Sequence, residues 1–243
     1  MDKRLISILI GIGLILGLLF YKTISISSHV AELECELDSI TTIVNAPLPV
    51  GFDYVMERFS LYNPNIDTAT VSTFIRVTTH LSLDEDDEVF KMLVGQICLE
   101  SGAKQFYTSE HKKFGKVVRG TSGEVGMTQI MPNTAIGYLS SHMGDEAELL
   151  ALGATDFSFV TDKTGRRAKM IQWLSHTDNN IILWGFMMRE NLEANGLIKG
   201  LVAYNAGHAG MRRFVKGNDP ETHSYVMAII DTLAYIERKL VCV

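Results

Sequence analysis

One acidic side chain at the end of an apolar helical pattern is the first place in this 243-residue chain where chemistry could be done. Glu100 follows the periodic set Phe90, Leu93, Val94 and Ile97, shares the edge of that stripe, and stands just before Gly102. A carboxyl at such a place suffers twice when ionised. Apolar neighbours strip its water, and the carbonyl end of the helix dipole repels its charge. Both effects raise its proton affinity, which a general acid needs near neutral pH. Read from the helix alone, the position fits an exposed Glu at a frayed terminus as well. A polar, locally basic loop with Lys112, Lys113, Lys116 and Arg119 comes next, followed by Gly126-Met127-Thr128-Gln129-Ile130-Met131-Pro132-Asn133-Thr134-Ala135. A Met- and Gln-bearing segment beside an acid suggests a groove with apolar walls and a few polar groups, as ligand sites have.

Other chemistries find less to work with. The net charge of -6 gives no global basic face for nucleic acid. Cys35, Cys98 and Cys242 match no metal spacing, and an odd count is no disulfide framework. Cys98 falls inside an apolar helix and reads as a small buried hydrophobe, whereas Cys35 and Cys242 could pair only in an oxidising space. The acidic run Asp84–Glu88 lacks the alternation and turn glycine of a calcium loop and suits the positive end of a helix. The histidines are scattered with no His-Glu-x-x-His pair, which argues against a zinc hydrolase.

The elements that must hold Glu100 are nearly all helical. Helices are expected over Asp67–His80, Asp84–Ser101, near Asp145–Leu152, near Arg166–Leu174, up to Asn195, over Leu197–Ala206 and over Glu221–Leu240. Asn179-Asn180 is read as a cap for the helix ending at Gly196, and Gly207 as the stop of the one after it. A hairpin over 116–123 is the one β element expected. The final helix should turn Tyr225, Ile229, Leu233, Ile236 and Leu240 inward. Ahead of this, Leu5–Tyr21 is an uncharged run at the short end of a membrane span, with Lys3 and Arg4 before it. A retained anchor is favoured over a cleaved signal peptide, and the rest of the chain then faces outward. Ala46-Pro47-Leu48-Pro49 breaks a stalk near residue 50. The expected organisation is an anchor over 1–22, a stalk and linker over 23–60, and a catalytic domain over 61–243.

The motifs together resemble the soluble-lytic-transglycosylase-like catalytic domain of the lysozyme-like superfamily. Glu100-Ser101 resembles the family's catalytic Glu-Ser, and 126–135 its Gly-Leu-Met-Gln-x-Met-Pro-x-Thr-Ala block. Asn180-Ile181 through Gly185 is similar to its Asn-Ile-x-x-Gly. Ala203-Tyr204-Asn205-Ala206-Gly207 is its Ala-Tyr-Asn-Ala-Gly, and Glu221-Thr222-His223-Ser224-Tyr225-Val226 resembles its Glu-Thr-x-x-Tyr-Val. The resemblance runs from about Val89 to Tyr235 and implies a mainly α, α+β lysozyme-like fold. It also implies cleavage of the bond from N-acetylmuramic acid to N-acetylglucosamine in peptidoglycan glycan strands, with closure of a 1,6-anhydro ring and no metal or cofactor. Glu100 would be the single acid and base. Ser101, Gln129, Met131, Thr134, Tyr204, Asn205, Glu221 and Tyr225 would bind the substrate or order the site around it. The expected setting is a membrane-anchored enzyme on the periplasmic or outer side, within a larger envelope or virion assembly. A hydrolytic muramidase on the same fold and a catalytically inactive wall-binding protein are the alternatives. Two departures stand out: the Glu100–Gln129 spacing is long, and Met127-Thr128 replaces the family's Leu-Met.

Overall fold

Helix α1, Phe52–Tyr62, opens the part of the chain that the computed structural model describes, which is residues 51–105 and 123–241. Its Tyr54, Val55 and Phe59 are buried and enter the common core. Residues 52–60, expected as the end of the stalk and linker, are therefore part of a packed helix, and the described residues all fall within the unit from Pro47 onward. The helix was hard to see in sequence because Arg58 interrupts its apolar face. Arg58 is nevertheless buried, with Nε 2.8 Å from Glu237 Oε1 and its guanidinium over the Tyr54 ring. The expected anchor over 5–21, Cys35, Cys242 and most of the 116–123 hairpin lie outside the described residues. Among the described residues, no helix is long and apolar enough to cross a membrane.

The architecture is mainly α. Helices α2 (Thr68–His80) and α3 (Asp87–Ser101) each start at an aspartate whose side chain accepts from the first free backbone N–H groups. Asp67 Oδ1 takes Thr70 N at 2.6 Å, and Asp86 Oδ1 takes Glu88 N at 2.8 Å and Val89 N at 3.1 Å. The acidic run before α3 is thus a helix start, as its composition suggested. Then come α4 (Pro132–Ser141), α5 (Glu146–Ala151), α6 (Arg166–Leu174), α7 (Thr177–Asn195), α8 (Leu197–Val215) and α9 (Ser224–Val241). Among the described residues the β structure is one antiparallel bridge, Val125 to Ile130, which lies outside the 116–123 span expected as a hairpin.

Helix α7 is the axis of the core. Ile181, Ile182, Leu183, Trp184 and Phe186 have no solvent exposure, so this helix is apolar nearly all round, as a central helix must be. Each such side chain contributes about 2 kcal/mol by leaving water. α7 packs on α2, α6 and α8, and α3 lies against α1 and α9. A Cβ at Gly185 would sit 2.3 Å from Val77 Cγ1, so glycine is what lets α2 approach α7 so closely.

Two boundaries differ from expectation for physical reasons. α7 begins at Thr177, and Asn179 and Asn180 are fully buried inside its first turns instead of capping it. Their amides serve neighbouring loops: Asn179 accepts from Thr155 N at 2.8 Å and donates to Trp173 O at 2.9 Å. The last helix begins at Ser224, because Pro220–Thr222 forms a separate 3-10 turn in which Asp219 accepts from Glu221 N. Gly207 interrupts α8 as expected, with φ 71° and ψ 159°.

Candidate active site

Glu100 sits in the last turn of α3, and the chain stops that helix abruptly. Gly102 takes a left-handed conformation (φ 62°), its N–H reaching Cys98 O at 2.8 Å, while Ala103 N reaches back to Ile97 O at 3.4 Å. Cys98, inside the same helix, is buried as its neighbours implied, and burial pushes its thiol up to about 12. The stop leaves Glu100 and Ser101 facing the segment that resumes at Gly123.

That segment is a tight turn over Val125–Ile130, closed by Val125 N to Ile130 O (3.0 Å) and its reciprocal bond (3.3 Å). Most of its stabilisation comes from side chains of other elements. Asn180 of α7 accepts from Thr128 N and Oγ1 at 2.9 Å each and donates to Val125 O at 2.9 Å. Gln105 accepts from Met127 N at 2.7 Å and donates to Leu174 O and Ser175 O at 3.0 Å each. Ser101 Oγ donates to Met127 O and Tyr204 Oη to Thr128 O, both at 2.7 Å. Buried backbone groups that cannot pair within so short a turn must find such partners. Gln129, at the corner, has φ 54° and folds its amide back onto Gly126 O at 2.5 Å.

Between this turn, α4, α7 and α8 lies a cavity of about 600 Å³. Glu100, Gln129, Met131, Thr134, Tyr204 and Asn205 all line it, so six of the nine residues singled out in sequence meet there. The other three take different places. Tyr225 stands behind the cavity and donates its hydroxyl to Glu100 Oε1. Ser101 pins the turn through Met127 O and accepts Lys104 N at 3.1 Å. Glu221 is exposed in the Pro220–Thr222 turn and is not on the cavity wall.

The wall also carries residues that sequence reasoning did not select: Glu124, Tyr138, His142, Glu190 and His208. Tyr138 stacks on His142 with ring centroids 4.1 Å apart, and His142 lies 3.6 Å from Glu190. No short motif marks these positions, which converge from the segment before the turn and from α4, α7 and α8. Gln96 and Trp184, deeper behind Glu100, were also missed. Their signal was a polar residue inside the apolar run of α3, facing an indole on the core helix.

Electrostatically the site raises the proton affinity of its acid. Burial lifts the Glu100 carboxyl to about 7, the hydrogen bond from Tyr225 pulls the other way, and the charge of Glu124 adds to the rise. Burial, then the nearby Glu100 charge, raises the Tyr204 and Tyr225 phenols well above their usual value, so both stay donors. A carboxyl titrating near neutrality on the wall of a groove can give a proton to a bound oxygen and take one back. Among the described residues, no group of His, Cys, Asp and Glu side chains could hold a metal ion.

Searched against family models, curated proteins and solved structures, the chain finds no match.

Proposed function

We propose that the protein is a peptidoglycan lytic transglycosylase in which Glu100 is the only acid and base. The observation that carries the reading is a carboxyl lifted to about 7 on the wall of a groove that it shares with Gln129, Met131, Tyr204 and Asn205. These are the residues that the motif resemblance assigns to one saccharide site. In sequence, Glu100 and Asn205 are more than a hundred positions apart.

The chemistry balances with one carboxyl. Glu100 gives its proton to the oxygen joining C1 of N-acetylmuramic acid to N-acetylglucosamine, and that bond breaks. The acetamido oxygen of the same sugar bonds to C1 and holds the positive charge, a substrate-assisted route known among glycosidases. Glu100, now ionised, takes the proton of the C6 hydroxyl. O6 displaces the acetamido oxygen at C1, closes the anhydro ring and leaves Glu100 protonated for the next turnover. Tyr225 holds one oxygen of Glu100, and the cavity receives the sugar. With residues 5–21 as an anchor, such an enzyme would act on wall close to a membrane.

The test is lysis of purified peptidoglycan by the full chain and by Glu100→Gln. The amide keeps the shape and cannot transfer the proton, so the rate should fall by about a hundredfold or more. Unchanged lysis by Glu100→Gln would remove Glu100 from the mechanism. Absence of lysis by the unmodified protein would favour the wall-binding alternative.

One observation favours a second reading. Glu124 lines the same cavity and its charge is felt at Glu100, so a second carboxylate is in place to activate water. A hydrolase built this way leaves a reducing muramic acid where a transglycosylase leaves the anhydro form.

A further inference from the structure

Behind Glu100 a chain of three hydrogen bonds runs across the core, linking α7, α3 and α9. Trp184 Nε1 donates to Gln96 Oε1 at 3.2 Å, Gln96 Nε2 donates to Tyr225 Oη at 3.1 Å, and Tyr225 Oη donates to Glu100 Oε1. Gln96 and Trp184 have no solvent exposure, and Gln96 stands one turn before Glu100 on the same helix. We infer that Gln96 is a positioning residue for Glu100. Fixed by Trp184, it turns the Tyr225 hydroxyl toward Oε1 of Glu100 and so leaves the acid's proton on Oε2.

The direction of the chain follows from what each group can do. An indole N–H only donates, so Gln96 must present its carbonyl oxygen to Trp184. The amide nitrogen then faces Tyr225, with Met188 Sδ 3.8 Å away as a second, weak acceptor. Tyr225 already accepts from this amide, and its single proton goes to Glu100. A carboxylic acid that accepts at one oxygen carries its proton on the other. Reversing the chain would point the Gln96 amide hydrogens at the indole hydrogen, two donors facing one another in a dry core, which costs about as much as a buried donor without a partner. Among the described residues, no buried side-chain nitrogen or oxygen lacks a partner, so the network is complete as it stands.

Among the described residues, the other ionisable groups around the cavity are Glu124 from the turn segment, Tyr138 and His142 from α4 and its end, Glu190 from α7, and Tyr204 and His208 from α8. Of these, Glu124 and Tyr204 interact electrostatically with Glu100. Among the described residues, the Gln96 chain engages Oε1 of Glu100 from behind, through Tyr225. The inference rests on the reading of Glu100 as the acid, and its test separates the two.

In the full chain, the double variant Gln96→Met with Trp184→Phe replaces both partners of the amide–indole bond by apolar groups of similar shape, leaving neither one unmet. Two measurements are made: the titration of the Glu100 carboxyl by carbon-13 NMR without substrate, and kcat and KM on peptidoglycan. A slackened Tyr225 no longer favours the ionised form as strongly, so the titration should move to higher pH. The kcat should drop by about tenfold with KM within about twofold, as for a misplaced acid. A titration at the wild-type position together with kcat within about twofold would overturn the proposal and leave Gln96 a structural group. If the double variant does not fold, Trp184→Phe alone carries the same expectation at smaller size, and the same null result there overturns it. If the unmodified protein leaves peptidoglycan uncut, the lytic reading falls while the titration still decides the role of Gln96.

Discussion

Two opposed influences meet at Glu100. Burial favours its neutral form, the Tyr225 hydroxyl favours its ionised form, and burial wins, leaving the carboxyl at about 7 against an ordinary value of 4.5. Activity that needs the acid form should therefore fall about tenfold per pH unit above neutrality, read from kcat/KM against pH. The same shift has a stability consequence of definite sign. With its folded-state value raised, Glu100 contributes stability that is fully present below about pH 4.5 and lost as pH rises through about 7. Glu100→Gln cannot ionise, so by denaturant melts it should be more stable than the unmodified protein by about 3 kcal/mol at alkaline pH, the difference vanishing near pH 4. Equal stability of the two at alkaline pH would mean that Glu100 is better solvated than its surroundings suggest. Part of this was legible in sequence: the apolar stripe pointed to an acid raised by burial. The Tyr225 bond and the Glu124 charge were not, because both reach Glu100 from segments that only folding brings near.

At the scale of elements, the decisive piece is the Val125–Ile130 turn. The sequence offered 126–135 as one motif, and folding divides it: a turn held by Asn180, Gln105, Ser101 and Tyr204, then a helix that begins at Pro132. Asn180 was misread as a cap because an Asn near a helix start usually plays that part, and nothing local shows that its partners lie 52 and 55 residues away. Gly126 tests how firmly the turn is fixed. Its φ is 79°, and a Cβ there would lie 2.6 Å from Asn180 Nδ2 and 2.8 Å from Gln105 Oε1. Both amides are buried and committed to several bonds, so neither can give way. Gly126→Ala should destabilise by about 2–4 kcal/mol in thermal or denaturant melts. Gly137→Ala, in α4 with nothing within 4 Å of its Cβ, should instead be neutral or slightly stabilising. Similar melts for the two would mean that the turn can relax around a side chain.

For the molecule as a whole, a buried ion pair ties α1 to α9. Arg58 and Glu237 meet there with only 8% of each exposed, Nη2 lying 2.5 Å from Oε1, and Arg58 also donates to Tyr54 O at 3.2 Å. Removing one partner strands the other in a dry environment, so Glu237→Ala should cost about 3 kcal/mol. A loss below about 1 kcal/mol would show that water reaches Arg58. The helical class and most helix positions were legible from periodicity, since apolar stripes of helical period survive in any environment. α1 was not, because its stripe contains an arginine whose partner is 179 residues away. Under the proposed function, the choice between lyase and hydrolase chemistry turns on Glu124, the second carboxylate in the cavity. Mass spectrometry of the fragments that the full chain releases from purified peptidoglycan tests the single-acid mechanism most directly. Fragments ending in 1,6-anhydro-N-acetylmuramic acid are the expected result. Fragments heavier by one water, with a reducing muramic acid end, would contradict it and assign the activation of water to Glu124.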